Sequence, residues 1–236
     1  MAPEAAELLA GTTAQLAPDP RTNRLVPLIA GGVASGEILA ALALEQRWVI
    51  AADRRAFVHL AERAAGSRTA RAFVHLAERA AGSRTAAAFF TSLAEGETLA
   101  GEHLAAFAAA SGVTGEQTRA YVPRPGCQAY PAYVSWLALN ASPADAILAL
   151  TANFSAWGGY CARIAEGLRR HYGFSDEACA FFDFFAQPSP ALDAQATAAV
   201  EEALESGRLN TGLARAYGSL LQSYEAMFWN SLGETS

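Results

Sequence analysis

The stretch SGEILAALALEQRWVIAADRRAFVHLAERAA, residues 35–65, decides the fold class. Helical periodicity runs through all of it, with no proline and no glycine after Gly36. Ser35 is placed to cap its N-terminus and Gly66 to stop it. Working outward, the same pattern recurs and no convincing run of alternating β-branched residues appears. The spacing predicts helices over about 3–16, 87–95, 96–111, 115–121, 132–140, 143–171, 175–186, 191–206 and 209–231. Gly112, Gly173 and Gly207 end three of them. The segments APDPRTNR (17–24) and YVPRPGCQAYP (121–131) carry prolines and are expected as loops. Short connections throughout point to one all-α bundle of antiparallel neighbours, a single domain over 1–236.

Composition supports this and narrows the chemistry. Of 236 residues, 56 are alanine, the strongest helix former. All 17 basic residues are arginine, so Schiff-base, P-loop and pyridoxal-phosphate chemistry, which need lysine, are excluded. The net charge of −6 and the absence of a basic stripe argue against nucleic acid as a partner. Three cysteines without CxxC spacing (Cys127, Cys161, Cys179) fit free thiols in a reducing compartment. The start MAPEAAELLAG has no signal-peptide pattern, and the most apolar span, 146–162, is broken by Thr151, Asn153, Ser155 and two glycines. A cytoplasmic protein with no membrane partner is therefore expected.

One feature stands apart. RAFVHLAERAAGSRTA occurs at 55–70 and again, identical at all 16 positions, at 71–86. Two copies of this length make no solenoid. In one unbroken helix the second copy would be rotated by about 160° and would turn its apolar face from the core. The expectation is a break at Gly66-Ser67, with Ser67 and Ser83 as N-caps. One copy then takes the native slot, and the other forms an extra turn, a surface helix or a swapped element.

The last predicted helix carries SYEAMFWNSL (223–232). A Tyr-Glu-x-x-Phe-Trp run closing an all-helical chain of this size resembles the TenA (thiaminase II-like) family of the heme-oxygenase-like fold. The long early helix with LEQRW, the Glu/His helix ending in ASGV, and AYPAYVSWLAL followed by ALTANFSAWGGYCARIAEGL agree in order and layout. The resemblance implies hydrolysis of thiamin or its aminopyrimidine breakdown product, no cofactor, and a homo-oligomer, dimer or tetramer. It assigns proton transfer to Glu225, ligand contacts to Tyr133 and Tyr160, and the grip on the ligand to Glu45 or Gln46, with Trp157 and Tyr224 as further candidate ligand contacts. Where the family reads Gln-Asp, this chain has Glu45-Gln46. Where it reads Pro-Cys before an aromatic, this chain has Phe154-Ser155-Ala156-Trp157. Ser155 or a water activated by Glu225 would then replace the family's cysteine, and a serine needs a general base that no nearby histidine supplies.

Read from the residues themselves, Glu225 lies between Tyr224, Phe228 and Trp229. Burial among rings would raise its pKa into a range useful for acid–base work. Glu45 and Gln46, between Leu44 and Trp48, either line an internal pocket or form a solvated helix face. Tyr130, Tyr133, Trp136, Trp157 and Tyr160 form an aromatic group that could sandwich a ligand or simply fill the core. Asn153 is a core amide or a pocket group. No metal site is expected, since His103, Glu95 and Glu97 have poor spacing for chelation. Three functions remain open: a TenA-like enzyme acting on a small heteroaromatic, a non-catalytic ligand-binding or regulatory protein, and an oxidase of the same fold, cofactor-free or di-iron.

Overall fold

The computed structural model describes residues 2–66 and 82–234. Its elements are α1 (Ala2–Leu16), a 3-10 turn (Pro20–Thr22), α2 (Leu25–Ala30), α3 (Gly36–Ala64), α4 (Arg84–Ala110), α5 (Gly115–Ala120), α6 (Pro125–Asn140), α7 (Pro143–Tyr172), α8 (Asp176–Ala186), α9 (Pro190–Glu205) and α10 (Thr211–Gly233). No strand occurs among the described residues. The ends follow the local chemistry. Ser35 Oγ accepts from the Ile38 amide at 3.3 Å, and Thr114 and Gln117 form a reciprocal capping box on α5. Gly112, Gly173 and Gly207, expected as stops, adopt φ of 76°, 69° and 63°.

Two expectations are corrected. The helices predicted at 87–95 and 96–111 are one, α4, which passes straight through Gly96. The loop predicted at 121–131 is helical from Pro125, with Pro131 inside α6. A proline mid-helix forgoes a backbone hydrogen bond and costs about 3 kcal/mol. Burial of Tyr133, Val134, Leu137 and Ala138 on the same helix offsets that loss. The short helix α2, which carried no prediction, buries Leu25, Val26 and Ile29 against α7. The two approach so closely there that a Cβ on Gly167 would lie 2.7 Å from the Ile29 carbonyl oxygen.

Packing is pairwise, in the manner of a bundle. The helix α3 packs on α4 and α6, α10 on α6 and α7, and α8 on α4 and α7. Two apolar cores result. One gathers Phe57, Leu60, Phe89, Phe90, Leu137 and Leu221; the other gathers Leu25, Leu42, Phe107, Ile164, Phe181 and Trp229. Each is drawn from both ends of the sequence, so neither core forms without the other half of the chain.

The repeat resolves in an unexpected way. Arg55–Gly66 of the first copy finishes α3, and Ser83–Ala86 of the second begins α4. Together they make one complete unit, split between the copies. The ends meet: the Ser83 amide donates to the Ala64 carbonyl at 2.8 Å, and a Cβ on Gly82 would fall 2.7 Å from the Ala65 carbonyl carbon. Ser83 caps α4 through the Ala86 amide, and Ser83 and Thr85 both donate to Glu202 of α9. Ser67 and the intervening residues through Ala81 lie outside the described residues.

Candidate functional site

At the seam of the two cores lies a cavity of about 1070 Å³. Its walls come from α1, α3, α4, α6, α7, α8, α9, α10 and the α8–α9 connection. Eight aromatic rings line it, Phe57, Phe89, Tyr130, Trp157 and Phe185 among them. Four carboxyls line it as well: Asp53, Glu97, Asp193 and Glu225. No arginine and no histidine appears among the described lining residues. Apolar walls with a few convergent polar groups are the usual make-up of a small-molecule site.

Glu225 is the best-held of these carboxyls. It is 5% exposed on α10. Trp229 Nε1, one turn further along the same helix, donates to Oε1 at 2.9 Å. Asn153 Nδ2 on α7 donates to Oε2 at 2.5 Å. The Asn153 orientation follows from its other bond, since Tyr130 Oη donates to Oδ1 at 3.3 Å. Burial pushes the Glu225 pKa up to about 7, against the opposing pull of the two donors. A carboxyl poised there can take or give a proton at neutral pH. On its far side Glu225 borders a second, water-sized space of about 10 Å³, shared with Asn23, Tyr160 and Gln222.

Asp53 on α3 and Glu97 on α4 both line the same cavity. Asp53 is 4% exposed, and its Oδ1 has no hydrogen-bond partner. Burial first, and the neighbouring Glu97 second, raise its pKa well above the ordinary carboxylate range. Burial raises Glu97 to about 8. The Tyr130 phenol stands within electrostatic reach of Asp53, Glu97 and Glu225, which adds to the burial that pushes its own pKa up. Sequence reading did not single out Asp53, nor Glu97 for this role. The signal was present: Asp53 follows Gln46 by seven residues, within about 20° of the same helix face. Glu97 likewise falls in the buried stripe Phe90, Ala94, Leu104 of α4.

Three solved structures share this architecture. A TenA homologue from P. horikoshii OT3 superposes with a TM-score of 0.62 at 14% identity, covering 99% of this chain and 100% of that one. A TenA homolog from Pseudomonas syringae pv. tomato str. DC3000 gives 0.68 at 16% identity, covering 97% and 90%. A domain of unknown function with a heme oxygenase-like fold from Shewanella denitrificans OS217 gives 0.64 at 13% identity, covering 95% and 88%. The chain has the TenA-type, heme-oxygenase-like fold. No family model and no curated protein matches the sequence.

Of the residues singled out from sequence, six line the cavity of this TenA-type bundle: Gln46, Tyr130, Asn153, Ser155, Trp157 and Glu225. Trp157 stacks on Trp229, with centroids 5.3 Å apart. Ser155 is exposed at the cavity wall. Glu45, Tyr133, Trp136, Tyr160 and Tyr224 stand elsewhere. Glu45 is fully buried and accepts from Tyr121 Oη at 2.7 Å, the Arg124 amide at 2.7 Å and Gln128 Nε2 at 3.2 Å. It ties α3 to the α5–α6 connection. Neither Glu45 nor Gln46 lies on a solvated face. Tyr133 stacks between Trp136 and Tyr224 on the α6–α10 contact, away from the cavity. Tyr160 packs edge-on against Trp229 and lines the water-sized space behind Glu225. The aromatic group read as one cluster is thus three. Cys127, Cys161 and Cys179 are all buried, and none lines the cavity. No group of three or more metal-ligating side chains occurs among the described residues, and no described helix is long and apolar enough to cross a membrane.

Proposed function

We propose that this protein is a TenA-like small-molecule enzyme that hydrolyses a thiamin-related aminopyrimidine or another small heteroaromatic, with Glu225 as the proton-transfer group and water as the nucleophile. The observation that carries this is Glu225 itself. It is a buried carboxyl at the wall of a ligand-sized cavity, oriented by Trp229 and Asn153 and raised to about 7. In the reaction, the ionised carboxylate takes a proton from water as the water oxygen bonds to the exocyclic carbon. The carbon–nitrogen bond breaks with its electrons on nitrogen, and Glu225 returns the proton to that nitrogen. Trp157 and the surrounding rings hold the heteroaromatic by stacking, and Gln46 offers it an amide. Ser155 is the weaker choice of nucleophile, because no imidazole among the described lining residues can activate it. A homo-oligomeric, cytoplasmic enzyme without a cofactor completes the reading.

The absence of a thiol from the described cavity wall favours a second reading, a ligand-binding protein of the same fold that performs no chemistry. One experiment separates the two. Thiamin and aminopyrimidine are incubated with the protein and with Glu225→Gln, and products are followed by chromatography with mass detection. Hydroxymethylpyrimidine formed by the wild type and lost in the variant supports the enzyme. No product from folded wild type leaves the binding protein.

A further inference from the structure

We propose that Asp53 and Glu97 form a cation subsite in this cavity, which takes the amidinium or ammonium end of a planar organic ligand. The inference rests on reading the cavity as a ligand site, but on no bond being cleaved there. It departs from the expectation of a ligand grip at Glu45 and Gln46, since Glu45 is committed to Tyr121, Arg124 and Gln128.

Three observations converge. First, the charge is one-sided. Every ionisable acid or base among the described lining residues, tyrosine aside, is a carboxyl, and Tyr130 lines the same cavity as Asp53, Glu97 and Glu225. A low-dielectric pocket with several acids and no base is complementary to a cation. Second, Asp53 Oδ1 is buried without a partner in a chain whose other buried acids have theirs: Glu45, Asp145 and Glu225 all accept hydrogen bonds. Buried polar groups are nearly always satisfied, so a bound group is the natural donor. Third, the walls select what kind of cation. A metal ion would need a donor cluster, and none occurs among the described residues. Aromatic rings instead favour a flat, delocalised cation, which they can stack upon. The two oxygens of one carboxylate match the paired N–H groups of an amidinium, and Asp53 has an oxygen that no protein group occupies.

A cation entering here displaces protons that Asp53 and Glu97 otherwise retain. Binding is therefore accompanied by proton release, which a structural pair of acids has no reason to show.

The test is isothermal titration of the full chain at neutral pH with benzamidine hydrochloride and, separately, with its neutral isostere benzamide. Neither carries a bond of the kind hydrolysed above, so failure here is distinct from failure of the enzymatic reading. Benzamidinium should bind at least ~10-fold more tightly than benzamide, a single charge-assisted contact's worth. Asp53→Asn/Glu97→Gln should remove that preference. Repeating the wild-type titration in two buffers of different ionisation enthalpy should show proton release with benzamidinium alone, a readout that needs no variant to fold. Equal affinities, no binding of benzamidinium, a preference that survives the double substitution, or binding without proton release would each overturn the proposal.

Discussion

Glu225 gives the sharpest quantitative test, because its environment must appear in the stability of the whole protein. Its pKa in the fold is about 7, against 4.5 as the ordinary value. A carboxyl raised in this way holds its proton more tightly folded than unfolded. Its contribution is fully present below about pH 4.5, is lost progressively as pH rises to about 7, and is constant above that. One pKa unit corresponds to about 1.4 kcal/mol, so between pH 5 and pH 8 the loss amounts to about 2–3 kcal/mol. Glu225→Gln removes the titration while keeping an acceptor for Trp229. The assay is urea denaturation of both proteins across that range. Other groups titrate in both proteins and cancel in the difference. Stability of the wild type relative to the variant should fall by about 2–3 kcal/mol, with most of the change below pH 7. A difference constant to within about 0.5 kcal/mol would refute the claim that Glu225 is desolvated, and with it the argument for proton transfer at neutral pH.

Three further outcomes are expected. Trp229→Phe removes a donor that stabilises the Glu225 carboxylate, so the upper end of that pH-dependent loss, at about pH 7 in the wild type, should move to higher pH and the total loss should grow; an upper end that stays or falls would contradict the assigned hydrogen bond. Glu45→Ala leaves Tyr121, the Arg124 amide and Gln128 without their acceptor and should cost about 2–4 kcal/mol in urea denaturation, whereas an exposed glutamate would cost almost nothing. Deleting residues 67–82 joins Gly66 to Ser83, whose amide already meets the Ala64 carbonyl; circular dichroism should show an unchanged helical fold, with stability equal to the parent or higher by up to about 2 kcal/mol, and loss of cooperative unfolding would show that the extra unit is built into the bundle.

How far the sequence could be read depended on which rule acted locally. Capping serines, C-terminal glycines and the long period of 35–65 are nearest-neighbour effects, and Ser35, Ser83, Gly112 and Gly173 behave as their chemistry dictates. The errors fell where packing overrides such rules. Gly96 and Pro131 look like breakers, yet the helices run through them because buried residues on both sides fix the axis. In the candidate site, Glu225 was picked out chiefly by the Tyr-Glu-x-x-Phe-Trp resemblance, and its flanking rings made its burial legible. Asp53 was not, because a charged residue one step before Arg54 and Arg55 reads as part of a solvated stretch. Only its register with Gln46 betrays the buried face. The splitting of one repeat unit between two copies could not be read at all, since identical sequences give no local reason to prefer either.

The contrast between Glu45 and Asp53, eight residues apart on one helix, separates structure from function in this molecule. Both are buried. Glu45 accepts three hydrogen bonds and joins α3 to a neighbouring connection, so its charge is answered by the protein. Asp53 lines a cavity with an oxygen unanswered and another acid within electrostatic reach. As a structural element that arrangement only costs stability, for an unpaired buried acid is among the more damaging things a core can contain. A glutamine or leucine of similar volume would serve the packing better. Glu97 on α4, itself only partly buried, adds a second acid to that wall in a stripe that is otherwise apolar. Acids that weaken a fold at the wall of a ligand-sized cavity acquire a use only when something enters it. The two cores meet at this cavity and supply its walls, Phe57 and Phe89 from one and Ile50 and Phe228 from the other, so the packing that holds the bundle also fixes where Asp53 stands.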